Sequence, residues 1–278
     1  MLGLLAKQSV FDYAIGMTGM IFWLGLITIV FTYMTLWFGL ALLSKRYDVV
    51  DTAWGLGFVL VAWVSLALSV RSGTGAVQIV SATLLSIWGF RLSAHIANRN
   101  WRKHTDDHRY ETMRARWKGN QLRKSYTNIF LLQGGLILLV SLPMIAIAST
   151  HRTEPNAGVL VGWTIWVFGI VLEAVADYQL AKFIGRRATG SHAIMNKGLW
   201  QYSRHPNYFG EATSWWGAGI VAASCGAWWA LLGSLAITVL VTKVSGVPPL
   251  EKHYEGNPEY AAYSLKTSVF IPLPAKKS

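Results

Sequence analysis

Apolar residues fall along this chain in long runs, and the short stretches between them collect nearly all of its charge. The runs are about 20 residues long, the length an α-helix needs to cross roughly 30 Å of hydrocarbon at about 1.5 Å per residue. Seven spans are predicted, at 20–43, 50–70, 77–97, 128–148, 159–183, 209–225 and 228–244, the sixth being the shortest. No internal repeat or low-complexity linker interrupts them. The pattern predicts an all-α, polytopic membrane protein: a single domain over 1–278, built as one bundle of about seven transmembrane helices.

Composition agrees. The 278 residues are 53% hydrophobic and only 14% charged, against about 25% charged in a soluble domain. The formal charge of +12 raises the question of nucleic acid, but the excess lies in the loops, where the positive-inside rule accounts for it and no nucleic-acid partner is expected. Arg99, Arg102, Lys103, Arg109, Arg114, Arg116, Lys118, Arg123 and Lys124 fall between spans three and four. Arg186, Arg187, Lys197 and Arg204 follow span five, Lys45 and Arg46 follow span one, and Lys252 follows span seven. With seven spans, these segments share one side, which puts the N-terminus outside and the C-terminus in the cytoplasm. The opposite loops are charge-poor, with Arg71 in one and Arg152 and Glu154 in the other. Residues 1–10 carry only Lys7, and no small-residue cleavage site follows the first long run, so a cleavable leader is not expected. The single cysteine, Cys225, excludes an intramolecular disulfide and a cysteine metal cluster, and no metal is expected.

With only thirteen acidic residues in the chain, their placement is informative. Asp106, Asp107, Glu111, Glu255 and Glu259 read as solvated charges in cytoplasmic segments. Asp48, Asp51, Glu173, Asp177 and Glu211 instead lie in or at the ends of apolar spans, where an ionisable group costs at least about 2.5–3.5 kcal/mol at mid-depth and normally faces a partner inside the bundle. Glu173 and Asp177 are spaced to share one face of span five, with Gln179 and Lys182 following. Asn207 and Glu211 share a face of span six, and Asp48 and Asp51 a face of span two. A polar cavity open to the cytoplasm is one reading; interhelical hydrogen bonds that only hold the bundle together are the other.

The densest chemistry is the run Lys197-Gly198-Leu199-Trp200-Gln201-Tyr202-Ser203-Arg204-His205-Pro206-Asn207-Tyr208-Phe209-Gly210-Glu211. Gly198 permits a turn, and Pro206 suits the first position of a helix. The helix start beside Arg204 and His205 favours a phosphate or carboxylate. Trp200, Tyr202 and Tyr208 could stack on a flat ring or sit in an interfacial belt. This turn resembles the C-terminal region of the membrane steroid 5α-reductase superfamily, especially its uncharacterised bacterial branch, and is similar to the Tyr-Ser-Arg-His-Pro-Asn-Tyr-Phe-Gly-Glu/Asp run of sterol C14- and Δ7-reductases. Two further stretches fit the bacterial branch: Leu172-Glu173-Ala174-Val175-Ala176-Asp177-Tyr178-Gln179, and Lys243-Val244-Ser245-Gly246-Val247-Pro248-Pro249-Leu250-Glu251 with Pro258-Glu259-Tyr260 after it.

The resemblance implies an NADPH-dependent oxidoreductase of the bacterial inner membrane, like a 3-oxo-5α-steroid 4-dehydrogenase, that reduces an activated carbon–carbon double bond. It implies a cofactor half at about 159–274 and a substrate half at about 20–148. Asp177 matches an acid that contacts the cofactor, and Asn207 and Glu211 match residues at its nicotinamide end. Arg204, His205 and Tyr208 are motif neighbours expected at phosphate, ribose or amide; Lys243 and Tyr260 match a basic position and a tail tyrosine. Glu173, Arg186 and Tyr202 complete the expected cofactor set. No Gly-x-Gly-x-x-Gly follows a strand, so a soluble Rossmann domain is not expected.

Hydride addition to an enone leaves charge on the carbonyl oxygen, which must be stabilised by a proton donor. Animal steroid reductases place a Gln-Glu pair in the second span and a Tyr in the third. Here the second span begins Asp48-Val49-Val50-Asp51-Thr52-Ala53-Trp54-Gly55, and the third has no tyrosine. Asp51 is the candidate donor and Trp54 a wall of the pocket, with Arg91 and His95 in reserve; the alternative for Asp51 is a helix-start acid facing the dipole. The substrate is expected to be steroid-like or another lipophilic molecule entering laterally from the surrounding membrane lipids. Two rivals remain: an isoprenylcysteine-type membrane methyltransferase using S-adenosylmethionine, whose cofactor region carries a similar Arg-His-Pro-x-Tyr turn, and a non-enzymatic transporter or receptor. A transporter would more often show inverted repeats.

Overall fold

The computed structural model describes residues 17–69, 73–101, 105–186 and 193–275. Of the residues named above, Lys7, Arg71, Arg102, Lys103 and Arg187 lie outside them. Everything regular among the described residues is helical; the one β-bridge joins Ser203 to Ser268. Five helical stretches are long and apolar enough to cross a membrane, or six if one bent pair counts as a single span. The chain clusters into two compact units, Met1–Val159 with Ala222–Leu232, and Leu160–Val221 with Gly233–Ser278.

In the first unit, α1 (Met17–Ser44), α2 (Val49–Leu68) and α3 (Ala76–Trp101) follow the first three predicted spans. A tight turn links α1 to α2: Lys45 takes φ 55°, and the Arg46 N–H returns to Ala41 O at 3.1 Å, the way helices commonly stop. α2 and α3 meet backbone to backbone at Gly55 and Gly89. A Cβ on Gly55 would lie 2.5 Å from Gly89 O, and one on Gly89 would lie 2.7 Å from Gly55 O. Small residues allow such approach where lipid supplies no hydrophobic drive between helices. Ser93 donates to Thr52 O at 2.9 Å across the seam, and Tyr33 of α1 donates to Ala53 O at 2.7 Å.

The loop after α3 forms α4 (His108–Ala115), capped by Asp107, and α5 (Gln121–Ser125), capped by Asn120. A π turn at Tyr126–Leu131 leads into α6 (Leu132–Val140), and α7 (Leu142–Ser149) follows with Pro143 in its first turn. The predicted straight span at 128–148 is therefore a pair bent by 50°. Proline supplies the reason, because it lacks an N–H and its ring crowds the preceding turn.

The second unit is built on α8 (Ala157–Arg186) and α9 (Pro206–Ser224). At 30 residues, α8 outruns the predicted 159–183. The helix at the sixth predicted span, α9, has 19 residues but falls short of the apolarity of a span. The described residues accordingly give five or six candidate spans where about seven are predicted, and the physical reason lies in where α9 puts its polar residues. Its glycines face α8: a Cβ on Gly210 would lie 2.6 Å from Glu173 N, and one on Gly217 would lie 2.5 Å from Trp166 N. From the other side, a Cβ on Gly169 would lie 2.4 Å from Ser214 N, and one on Gly162 would lie 2.9 Å from Gly217 O. The order of these contacts makes the two helices antiparallel, zipped by glycines seven residues apart on each. A 3₁₀ turn at Trp228–Ala230, α10 (Leu231–Val239) and a π turn at Leu240–Val244 make up the last apolar stretch. Two short helices, α11 (Val247–His253) and α12 (Pro258–Lys266), follow it.

Candidate functional site

The α8–α9 seam carries the first polar cluster. Glu173 and Asp177 sit one turn apart on the face of α8 that Gly169 presents to α9, and both are buried, as is Glu211 of α9. Asn207, in the first turn of α9, donates its Nδ2 to Asp177 Oδ1 at 3.2 Å. Its Oδ1 is buried without a hydrogen-bond partner among the described residues. A buried acceptor left unpaired costs about 1–3 kcal/mol, so an incoming N–H or O–H would be well received there.

The turn before α9 is fastened to α8 and to the C-terminal segment. Gly198 takes φ 63°, and a Cβ there would lie 2.6 Å from Gln179 Oε1, so both backbone and space require glycine. Gln179 Oε1 accepts from Leu199 N at 2.9 Å, and Trp200 Nε1 donates to Ala176 O at 3.1 Å. On the far side, Arg204 N donates to Ser268 O at 2.8 Å, Ser203 Oγ to Phe270 O at 2.8 Å, and Tyr263 OH to Trp200 O.

The cations of this turn already hold a carboxylate. Glu251 of α11 accepts from Arg204 Nη1 at 2.8 Å through one oxygen, and from His205 Nε2 at 2.8 Å and Tyr260 OH at 2.6 Å through the other. The anion expected at Arg204 and His205 is thus supplied, in this structure, by the chain itself. Burial lowers the His205 pKa below its ordinary value, against the opposing pull of Glu251. Burial and then the Glu251 contact raise that of Tyr260. His205 stacks with Tyr208 at 5.8 Å between centroids, and Tyr254 with Tyr260 at 4.6 Å. Arg204, Glu251, Lys252, Asn257 and the Tyr254–Tyr260 pair line a groove of about 610 Å³. Arg186, Tyr202 and Lys243 are exposed, Lys243 within the π turn.

Asp48 and Asp51 belong to the first unit. Buried Asp48 pairs with Arg46, at 2.7 Å from its Nη2, which also donates to Asn100 O at 2.8 Å. Asp51 accepts at both oxygens, from Tyr110 OH at 2.5 Å and Arg109 Nη2 at 2.7 Å, with Arg99 Nη2 at 3.9 Å. Gln133 donates to the Tyr110 hydroxyl at 3.4 Å. Burial, then the Asp51 charge, raises the Tyr110 pKa far above its ordinary value. Trp54 is half-buried and packs edge-on against Phe58 at 5.1 Å, and Arg91 and His95 are half-buried on α3.

Three residues of this chemistry were not singled out from sequence. Glu251 sits 46 residues beyond His205, and its only signal was a place in a run quoted for resemblance. Tyr110 lies in a polar loop where nothing marks it. Asp106, read as a solvated charge, accepts from the backbone N–H groups of Tyr47, Asp48 and Asp107 at 2.9, 2.9 and 3.0 Å, and Asp107 caps α4. Both are corrected to structural anions, because backbone N–H groups left over at helix ends draw carboxylates.

The family model for DUF1295, described as a protein of unknown function, matches residues 37–267. No curated protein and no solved structure gives a match.

Proposed function

The chain belongs to the DUF1295 family, whose function is unknown, and from its site we propose an NADPH-dependent membrane reductase of activated carbon–carbon double bonds, of the steroid 5α-reductase kind. The observation that carries this reading is the part-buried Asp177–Asn207 pair with the buried Asn207 Oδ1 left over. An amide oxygen fixed by a neighbouring acid and lacking a donor suits the carboxamide N–H of a nicotinamide, so the residues present fit the cofactor. When bound, NADPH would supply hydride to the β-carbon of an enone.

In this reading Asp177 holds the Asn207 amide in the orientation that leaves its oxygen to accept, with Glu173 on the same seam and Glu211 buried on α9. The exposed Arg186, Lys243 and Lys252 provide cations for phosphates. Arg204 and His205 reach a ligand phosphate only if Glu251 yields. The first unit offers a proton donor of its own, the Tyr110–Asp51 pair: both Asp51 oxygens accept hydrogen bonds, so the proton at hand is the phenolic one, and Asp51 positions it. Trp54 walls a pocket for a lipophilic substrate arriving from the bilayer. The antiparallel run of α9 along α8 supports counting α9 as a further crossing, which with the bent pair restores seven and a cytoplasmic C-terminus.

Thermal unfolding of the detergent-solubilised protein with NADPH, NADH or S-adenosylmethionine tests the reading. A ligand that binds only the folded state stabilises it by about 2.7 kcal/mol at a hundredfold excess over its Kd. A shift with NADPH alone supports the reductase and directs a screen of enones. A shift with S-adenosylmethionine alone replaces it with the isoprenylcysteine-type methyltransferase, and no shift with any of the three points to a non-enzymatic role such as transport.

A further inference from the structure

The C-terminal segment after α12 is irregular and two-faced. Its inner residues fasten it to the turn before α9: Ser268 bridges Ser203, and Phe270 packs edge-on against Phe209 at 5.6 Å. The alternate residues Val269, Ile271 and Leu273 turn outward at 41%, 56% and 53% exposure, beside Tyr202 at 41%; Leu265, at the end of α12, is 77% exposed. In water this would put the apolar side chains on the wrong face.

Depth explains the inversion. Trp200, three residues from Ser203, donates to Ala176 O of α8, and Ala176 lies ten residues, or about 15 Å, before the end of that helix. Leu273 N donates to Tyr202 O at 3.0 Å, and Arg204 N to Ser268 O, two residues before α9 begins. The strap therefore runs level with the start of α9 and inside the end of the apolar α8, a depth that suits the region where a membrane's headgroups meet its acyl chains. We propose that Val269, Ile271 and Leu273, with Tyr202 and Leu265, are embedded in that boundary, so that the strap is a membrane-interface element whose partner is the lipid leaflet. Tyrosine is enriched at this depth, and the exposed Lys266 supplies a charge for anionic headgroups. Pro272 and Pro274 interrupt the segment and cannot donate to a ladder, so a partner chain adding a strand is disfavoured, and fewer N–H groups need satisfying near lipid.

The test uses the full chain in vesicles of phosphatidylcholine with phosphatidylglycerol. In a Cys225→Ser background, Ile271→Cys and, separately, Leu273→Cys carry an environment-sensitive NBD dye, with Glu259→Cys as the exposed reference. The expected result is blue-shifted emission at 271 and 273, most of it lost to a quencher carried on the lipid near the headgroup and little to iodide in the water. Emission like that of the 259 dye, open to iodide, overturns the proposal. A blue shift that the lipid quencher leaves intact also overturns it, in favour of a protein covering the strap. The second labelled position keeps the test decisive if one variant fails to fold.

Discussion

Replacing Gly210 with alanine tests whether the α8–α9 seam holds the site together. The added Cβ would lie 2.6 Å from Glu173 N and 2.9 Å from both its Cα and Cβ, against the roughly 3.5–4.0 Å at which carbon contacts are favourable. The obstructing atoms are mainly helix backbone, so no rotamer change relieves them and the helices must separate by about 1 Å. Overpacking of this kind costs about 1–3 kcal/mol, offset by the roughly 0.5–1 kcal/mol that alanine gains over glycine inside a helix. Taken at mid-range the net is about 1 kcal/mol, or a fall in apparent melting temperature of roughly 2–5 °C for a chain of this size. Gly39→Ala is the matched control, since a Cβ there meets nothing within 4 Å. Both variants would be melted in detergent, following tryptophan fluorescence. Gly210→Ala melting with wild type, or no lower than Gly39→Ala, would refute the reasoning.

Three other outcomes are expected. The neutral His205 favours folding at pH above its ordinary value of 6.5, because burial depresses its folded pKa below that value; this contribution is lost as pH falls through the folded pKa. A melting series between about pH 8 and 5 should show stability declining below 6.5, and His205→Gln should flatten the decline. Glu251→Ala leaves Arg204, whose side chain is 11% exposed, without its carboxylate; since Glu251 is itself part-exposed, the loss should fall at or below the low end of the roughly 3–5 kcal/mol seen for broken buried pairs, read as a lower denaturation midpoint. Under the proposed function, Asn207→Ala weakens NADPH binding by about tenfold, near the 1.4 kcal/mol of one good hydrogen bond, whereas Tyr110→Phe and Asp51→Asn leave binding unchanged in titration and abolish turnover. Equal loss of binding in all three would dismantle that division of roles.

Much of the fold was legible because one physical rule governs it: a backbone in lipid must satisfy its own hydrogen bonds, so long apolar runs become helices. α1, α2, α3 and α8 follow directly. The rule weakened where a helix is shielded by protein. α9 buries Glu211 and Ser214 and half-buries Asn207 while its glycines press on α8, so its low apolarity records packing against another helix, and a hydropathy reading alone cannot separate that from a short span. The bend before α7 was written in Pro143, but a run of apolar residues on both sides of it masked the break.

The site divides along similar lines. Glu173, Asp177, Asn207 and Glu211 could be found because acids and amides are costly in apolar helices, and helical spacing then assigns them to faces. Glu251 and Tyr110 escaped because polar loops impose no such cost, and only the fold brings them to their partners. Yet both end where sequence had already marked a charge. Glu251 reaches Arg204 and His205 beside the start of α9, and Tyr110 reaches an acid at the start of α2. In each case the polar residue in the membrane-bounded helix or its adjoining turn is the fixed member, and the loop residue satisfies it. That asymmetry has a consequence for ligand binding. A part-exposed partner such as Glu251, on the short α11, can leave more readily than Asp177 and Asn207, which are held on the glycine seam. Ligand-induced change in this protein should therefore appear first as exchange at Arg204 and His205, with the Asp177–Asn207 pair unmoved.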